Sequence, residues 1–376
     1  MFEKSQNAQT EDLYPPFFKQ GLTVGGMVCQ MIKSRARDKY LDFYRGVAAI
    51  SIVFIHTVFW SGEAYVPDCF RSLALLIDVP FFVFLSGWSA YYSTDIVKTF
   101  DSTAKTWVRY ILFISLMDIV VIGLFHRGEF SLFVWINQCF FSIKKNAFPD
   151  FPVVRGSLWF LPMWIPVVLA GGVLTACLRH YSAGQRMVKR LLLFFLVGII
   201  CFSTDMISSW FLCSRDFCFY MVFFLLGYCS VKIDISWKNY LKICASLGFL
   251  WMLTAHIFQI SPWDFQSAKF PPHIMYLEVS LLSVVTAVFL REKLGNFVNR
   301  CRLLAFIGRN ALCFYFAQGM GASLIYYVYP VFLPKGWLLT LVICFAVNLG
   351  ITLSLGSTLV FFYRLVEHFL WKNWKA

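Results

Sequence analysis

Apolar runs of about 20 residues recur along this 376-residue chain, and no other feature narrows its possible folds so far. In lipid every backbone N–H and C=O must find a partner within the protein, so only helices and closed barrels cross a membrane. The runs lack the period-two alternation of barrel strands. An all-α, polytopic transmembrane helical bundle is therefore expected. Ten spans are read at about residues 43–62, 72–92, 108–126, 153–178, 191–209, 217–231, 241–260, 273–290, 303–327 and 337–363. Charged residues make up 14% of the chain, against about 25% in soluble domains, so any chemistry falls to the bundle itself. Residues 1–40 read as a polar, basic tail, 41–365 as the membrane domain and 366–376 as a short second tail. The tail is broken by Pro15-Pro16 and does not resemble a cleavable signal peptide. Its mildly apolar stretch 21–32 is too short to span and is expected to lie on the surface.

The net charge of +13 raises the question of nucleic acid, but its distribution argues for topology instead. With the N-terminus inside, 25 of the 33 Lys and Arg residues fall on inward segments. That is the positive-inside bias, and it places both termini in the cytoplasm, with membrane lipids rather than nucleic acid as partners. The 12 cysteines show no CxxC and no metal-type spacing, so no metal is expected. The longest outward connection, 126–155, carries an apolar run at 130–141 followed by Lys144 and Lys145. It reads as a lid, an acceptor platform or an interfacial anchor.

Ionisable residues inside spans mark function in membrane proteins. Arg45 and His56 are eleven residues apart, so they share one helix face about 16 Å apart along the axis. His56 lies six residues from the outer end of the first span, and Asp78 six residues past the outer start of the second. Both are then about 9 Å below the outer surface on neighbouring antiparallel helices. A carboxylate at that depth can orient the imidazole and raise its basicity, the base-and-orienter arrangement of acyl-transfer sites. The bland alternatives are an interhelical hydrogen bond for His56, and a structural pairing of Asp78 with Arg71 or Trp88. Basic residues gather at the inner end of the stripe, including Lys98, Lys105 and Arg109, and suit phosphates or anionic lipid headgroups. Asp118, Asp205 and Glu278 are further intramembrane carboxylates, of which Asp118 shares a span with Arg109.

These residues carry a resemblance. Arg45 and His56 with ten residues between them, preceded by Leu41-Asp42 and followed by Asp78, Phe82, Ser86 and Gly87 at spacings of four, four and one, resemble the integral-membrane acyltransferase-3 family. Ser157-Leu158-Trp159-Phe160-Leu161 is similar to its Leu-Trp-Phe-Leu signature, and Phe306-Ile307-Gly308-Arg309-Asn310-Ala311-Leu312 to its late Ile-Gly-x-Asn-Ser-Leu motif. The resemblance extends over roughly residues 35–365. It implies an enzyme of the bacterial cytoplasmic membrane that moves acetyl from cytosolic acetyl-CoA to a hydroxyl of a surface or exported polysaccharide. The donor nucleotide would then sit among Arg45, Lys105 and Arg109. His56 would act as general base or as acyl carrier, and Asp78 would stabilise the imidazolium. Ser86, Trp159 and Asn310 are candidate donors to substrate oxygens, and Asp118 a candidate for lining the acceptor path. The chain departs from the family where Lys105 stands one place off an expected Arg, where Ala311 replaces Ser, and where Gln318 stands in place of a frequent His, whose role is therefore not carried over. A transporter or flippase for a lipid-linked saccharide, and a non-catalytic envelope-assembly protein, are the rival classes.

Overall fold

A computed structural model describes residues 38–60, 65–93, 95–124, 129–141, 151–179, 184–203 and 212–372. The expected surface stretch 21–32, Asp205, and Lys144 and Lys145 fall outside them. The chain divides into two units, Met1–Asp38 and Lys39–Ala376, and the second carries the helices described below. The structure is 87% helical with no strand among the described residues, as a polytopic bundle requires.

Each expected segment overlaps one or more helices among the described residues, the segment 191–209 only as far as Ser203. The helices are α1 (Lys39–Trp60), the pair α2 (Asp68–Ala74) and α3 (Val79–Tyr92), and α4 (Ile96–Asp118), which continues into a π-helical turn at Ile119–Leu124. After α5 (Leu132–Phe141) come α6 (Pro152–Gly156), a 3-10 turn at Ser157–Trp159 and α7 (Phe160–Arg179). Next are α8 (Gly184–Ser203), α9 (Leu212–Ser230), α10 (Trp237–Ile257) and α11 (Ile274–Lys293). The chain then runs through α12 (Gly295–Arg300), α13 (Arg302–Arg309), α14 (Ala311–Leu324) and α15 (Tyr329–Phe332) to the long α16 (Trp337–Lys372). Seven segments among the described residues are long and apolar enough to cross a membrane, or eight when the bent pair after Asn310 counts as one. Arg186, Lys189 and Arg190 in α8, and Arg215 and Asp216 in α9, shorten the apolar runs of those two helices.

Two spans read as continuous are broken. The second halts at Leu75, and Asp78 becomes the extended residue before α3 (φ −119°, ψ −162°). Pro80, the second residue of α3, fits this break, because proline cannot donate to the carbonyl four residues back and its ring clashes with that carbonyl. The Ile77 carbonyl freed by the break accepts from Ser51 Oγ of α1 at 2.8 Å. The ninth span breaks at Asn310, whose Nδ2 donates to the Phe306 carbonyl at 2.8 Å and so satisfies a terminal acceptor of α13.

Two glycine crossings set how closely the core helices pack. A Cβ at Gly308 would stand 1.7 Å from the Asp42 carbonyl oxygen, and one at Gly46 would stand 2.1 Å from that of Leu304. Helices α1 and α13 therefore touch backbone to backbone. Gly87 and Gly227 do the same for α3 and α9, at 1.8 Å from the Phe224 oxygen and 1.9 Å from the Phe84 oxygen. Small residues at such crossings give membrane helices their van der Waals contact. They also explain the glycines of the Ser86-Gly87 and Ile307-Gly308 motifs.

Some basic residues hold helix ends. Arg179 donates to the Ala90 and Tyr91 carbonyls at 3.1 and 2.9 Å, at the end of α3. Arg291 donates to Ser230 and Ile233, at and just beyond the end of α9. Cations suit helix C-termini because of the unpaired carbonyls there. Helix α5 lies along α4, tied by Trp135 Nε1 to Ser115 Oγ at 3.1 Å and by Trp107 Nε1 to the Cys139 carbonyl at 3.0 Å. Its Leu132, Phe133 and Phe140 stay exposed, as lipid-facing side chains would.

Candidate active site

The site begins with a cavity of about 520 Å³ enclosed by α1, α3, α4, α7, α13 and α14. Its cationic end is formed by Arg45 near the start of α1, Lys98 in the first turn of α4 and Arg309 at the end of α13. The Gly46–Gly308 crossing brings Arg45 and Arg309 together, since each sits one residue from a glycine of that contact. Its middle holds Ser86 and Trp164, the indole N–H donating to Ser86 Oγ at 2.9 Å while that hydroxyl donates to the Phe82 carbonyl at 3.0 Å. The far end is lined by Ile52, Val79, Phe160 and Tyr315.

His56 lies one helical turn beyond Ile52, on the same face of α1. It is 8% exposed, and its Nδ1 is hydrogen-bonded to Oε1 of Gln318 on α14, which is fully buried. Gln318 is in turn one turn beyond Tyr315, so both partners stand directly past the far end of the cavity. Asp78 is 2% exposed and takes a different partner from the one expected. Its Oδ2 pairs with Lys269 Nζ at 2.6 Å and accepts from Tyr276 Oη at 2.7 Å. Lys269 comes from the 3-10 turn Ser267–Lys269 before α11, and its ammonium lies 5.6 Å from the centre of the Trp159 ring and 5.2 Å from that of Phe270. Asp78 and Lys269 both act electrostatically on His56, so the Gln318–His56 pair stands beside an ion pair.

The sequence-derived candidates thus separate into groups. Arg45, His56, Ser86, Asp78 and Trp159 converge on the cavity or on the His56 cluster beyond it. Lys105 instead pairs with Asp101 at 2.7 Å and does not line the cavity, although it lies two turns from Lys98 along α4. Arg109 stacks over Tyr363 of α16 at 5.9 Å and does not line the cavity. Asp118 is buried where α4 passes into the π turn, also away from the cavity lining. Asn310 holds the α13–α14 break between two lining residues, Arg309 and Ala311, rather than facing the cavity itself. Arg71 bonds Asp68, not Asp78. Lys269, Gln318 and Arg309 were not legible as site residues. Lys269 shows in sequence only as a lone cation in a Pro-rich connection, and Gln318 only as a departure from a family pattern.

The described helices thus form a membrane bundle with a cationic pocket leading towards a buried histidine. Residues 38–357 match the family model described as an acyltransferase domain, that of acyltransferase-3. The match covers most of the chain, which therefore belongs to this family and is a multi-pass membrane acyltransferase. No curated protein and no solved structure matches it.

Proposed function

We propose that the protein is an O-acetyltransferase of a bacterial cytoplasmic membrane, taking acetyl from cytosolic acetyl-CoA and delivering it to a hydroxyl of a surface or exported polysaccharide. The observation that carries this reading is the cavity that joins Arg45, Lys98 and Arg309 to the turn below His56. Guanidinium and ammonium groups bind phosphates through short, charge-assisted bonds. The diphosphate and ribose phosphate of CoA belong at that end. The Arg45–His56 rise of about 16 Å matches the reach of the pantetheine arm, which carries the thioester towards His56.

Two routes fit His56. As general base, it takes the proton of the sugar hydroxyl while the oxygen attacks the thioester carbonyl. The C–O bond forms, the C–S bond breaks, and the proton passes from the imidazolium to the departing thiolate. As acyl carrier, its nitrogen attacks the thioester carbonyl, the C–N bond forming as the C–S bond breaks and the thiolate taking the imidazolium proton; the sugar oxygen then attacks the acyl carbon, the C–N bond breaks, and the hydroxyl proton passes to the freed imidazole. Trp159 and Phe270, beside Lys269, offer aromatic faces on the acceptor side. The broken helices at Asp78 and Asn310 are the feature that favours a saccharide transporter instead.

The test is mass spectrometry of the host's surface polysaccharide with the protein, without it, and with His56→Ala in its place. Acetyl esters that depend on both the protein and His56 support the proposal. An unacetylated glycan whose export depends on the protein would favour the transporter.

A further inference from the structure

We propose that Gln318 is the positioning residue of the reaction. Its Oε1 holds the Nδ1–H of His56 and leaves Nε2 as the atom that takes the proton or the acyl group. This rests on the reading of His56 as the reacting side chain.

Three observations carry it. The first is that the carboxylate expected to orient His56 is already engaged. Asp78 Oδ2 serves both Lys269 and Tyr276, and the bonded partner of the imidazole is the Gln318 amide. An imidazole whose Nδ1–H is held by a carbonyl-type oxygen presents an unprotonated Nε2, because the neutral ring carries one proton.

The second is that the amide is rigidly mounted. On α14, Tyr315 donates through Oη to the Ser157 carbonyl. Ser323 Oγ donates to the Gly319 carbonyl at 2.9 Å and accepts the Val153 N–H at 3.1 Å. On the His56 side, Asn348 of α16 donates to the Val53 carbonyl at 3.2 Å and to Thr57 Oγ1 at 2.9 Å. A Cβ at Gly321 would meet the same Asn348 side chain at 2.2 Å, so α1, α14 and α16 are locked together around the pair. Such support fixes a base to within the tolerance that catalysis requires.

The third is that Gln318 is fully buried yet its Nε2 has no hydrogen-bond partner. A buried donor left unpaired carries its full desolvation penalty, which an apolar residue of the same size would avoid. A side chain present at that cost, bonded to the reacting histidine, is explained when its oxygen has work to do and its N–H lies ready for a substrate oxygen. Being neutral, it also adds no charge beside the Asp78–Lys269 pair.

The tautomer is measured directly by solid-state NMR of ¹⁵N-histidine-labelled full-length protein in bilayers, with His56→Ala assigning the signal. The expected result is a protonated Nδ1 and an unprotonated Nε2 at His56. A neutral ring protonated at Nε2 overturns the assignment. In parallel, Gln318→Leu is expected to lower kcat by about 100-fold with the KM for acetyl-CoA within about twofold, as loss of an orienting partner does. Gln318→Glu keeps an acceptor of the same reach and is expected to recover much of that rate and to retain protonation at Nδ1. An inactive His56→Ala beside a fully active Gln318→Leu removes Gln318 alone from the mechanism. A fully active His56→Ala removes the reading of His56 as well.

Discussion

The buried Asp78–Lys269 pair makes the sharpest quantitative test of the cluster around His56. Its partners are 2.6 Å apart, with side chains only 1% and 8% exposed. Removing one member of such a pair strands a charge and costs about 3–5 kcal/mol, whereas replacing both with neutral groups is often close to neutral. Lys269→Met leaves the Asp78 carboxylate with only the Tyr276 hydroxyl, and the full cost of about 3–5 kcal/mol is expected. Asp78→Asn leaves the ammonium between the Trp159 and Phe270 rings, 5.6 and 5.2 Å from their centres. Cation–π attraction returns about 0.5–2 kcal/mol of the loss, so this variant should be the milder of the two. The double variant keeps the Tyr276 contact through the oxygen of the introduced amide and buries no charge. Its stability should lie within about 1 kcal/mol of the wild type. The coupling is then at least about 2 kcal/mol, well above the 0.3–0.5 kcal/mol scatter expected of roughly independent sites. Reversible unfolding in mixed micelles, followed by tryptophan fluorescence, measures all four proteins. A double variant whose loss equals the sum of the two single losses would refute the pairing.

Other consequences follow from the same geometry. Gly308→Ala places a methyl 1.7 Å from the Asp42 carbonyl and must part α1 from α13 by more than an ångström to reach the 3.0 Å that real Cβ atoms respect. Misplacements of that size cost about 100-fold in rate, whereas Gly248→Ala, with open space around it, should leave transfer unchanged in the same assay. Lys98→Gln and Arg309→Gln should each raise the KM for acetyl-CoA about tenfold or more, at the scale of one charge-assisted bond. Lys105→Gln, outside the cavity lining, should not change that KM in parallel steady-state kinetics. Asn348→Leu strips the Thr57 and Val53 contacts beside His56. It should cost about 1–3 kcal/mol in the same unfolding measurement, through the polar groups it leaves unpaired.

The helical bundle was legible because the bilayer leaves the backbone so few solutions. The Arg45–His56 stripe was legible because both residues lie on one helix, where spacing alone fixes their relation. Asp78 was placed at the right end of the site but with the wrong partner. Depth matching counts residues along a continuous helix, and Pro80 breaks this one, so the carboxylate meets Lys269 and Tyr276 instead. Lys105 and Arg109 were expected beside Arg45, but the residues of α4 that line the cavity are Lys98, Thr99, Ser102 and Thr106, a selection set by packing against neighbouring helices. Lys98 and Arg309 reach the cavity from helix ends, and Arg309 does so only because two glycines bring α1 and α13 into contact. Gln318 sits 262 residues from His56, a separation that no periodicity within one chain segment can bridge.

Passage of acetyl from CoA to a sugar hydroxyl at His56 is tested most directly by single-turnover transfer in bilayer nanodiscs. Purified wild-type protein and His56→Ala are each mixed with radiolabelled acetyl-CoA and an oligosaccharide acceptor, and bound donor and sugar ester are counted separately. Wild type should convert bound label into alkali-labile sugar ester, while His56→Ala should bind the donor and form none above background. Sugar ester formed by His56→Ala at the wild-type rate would contradict a reacting role for this histidine.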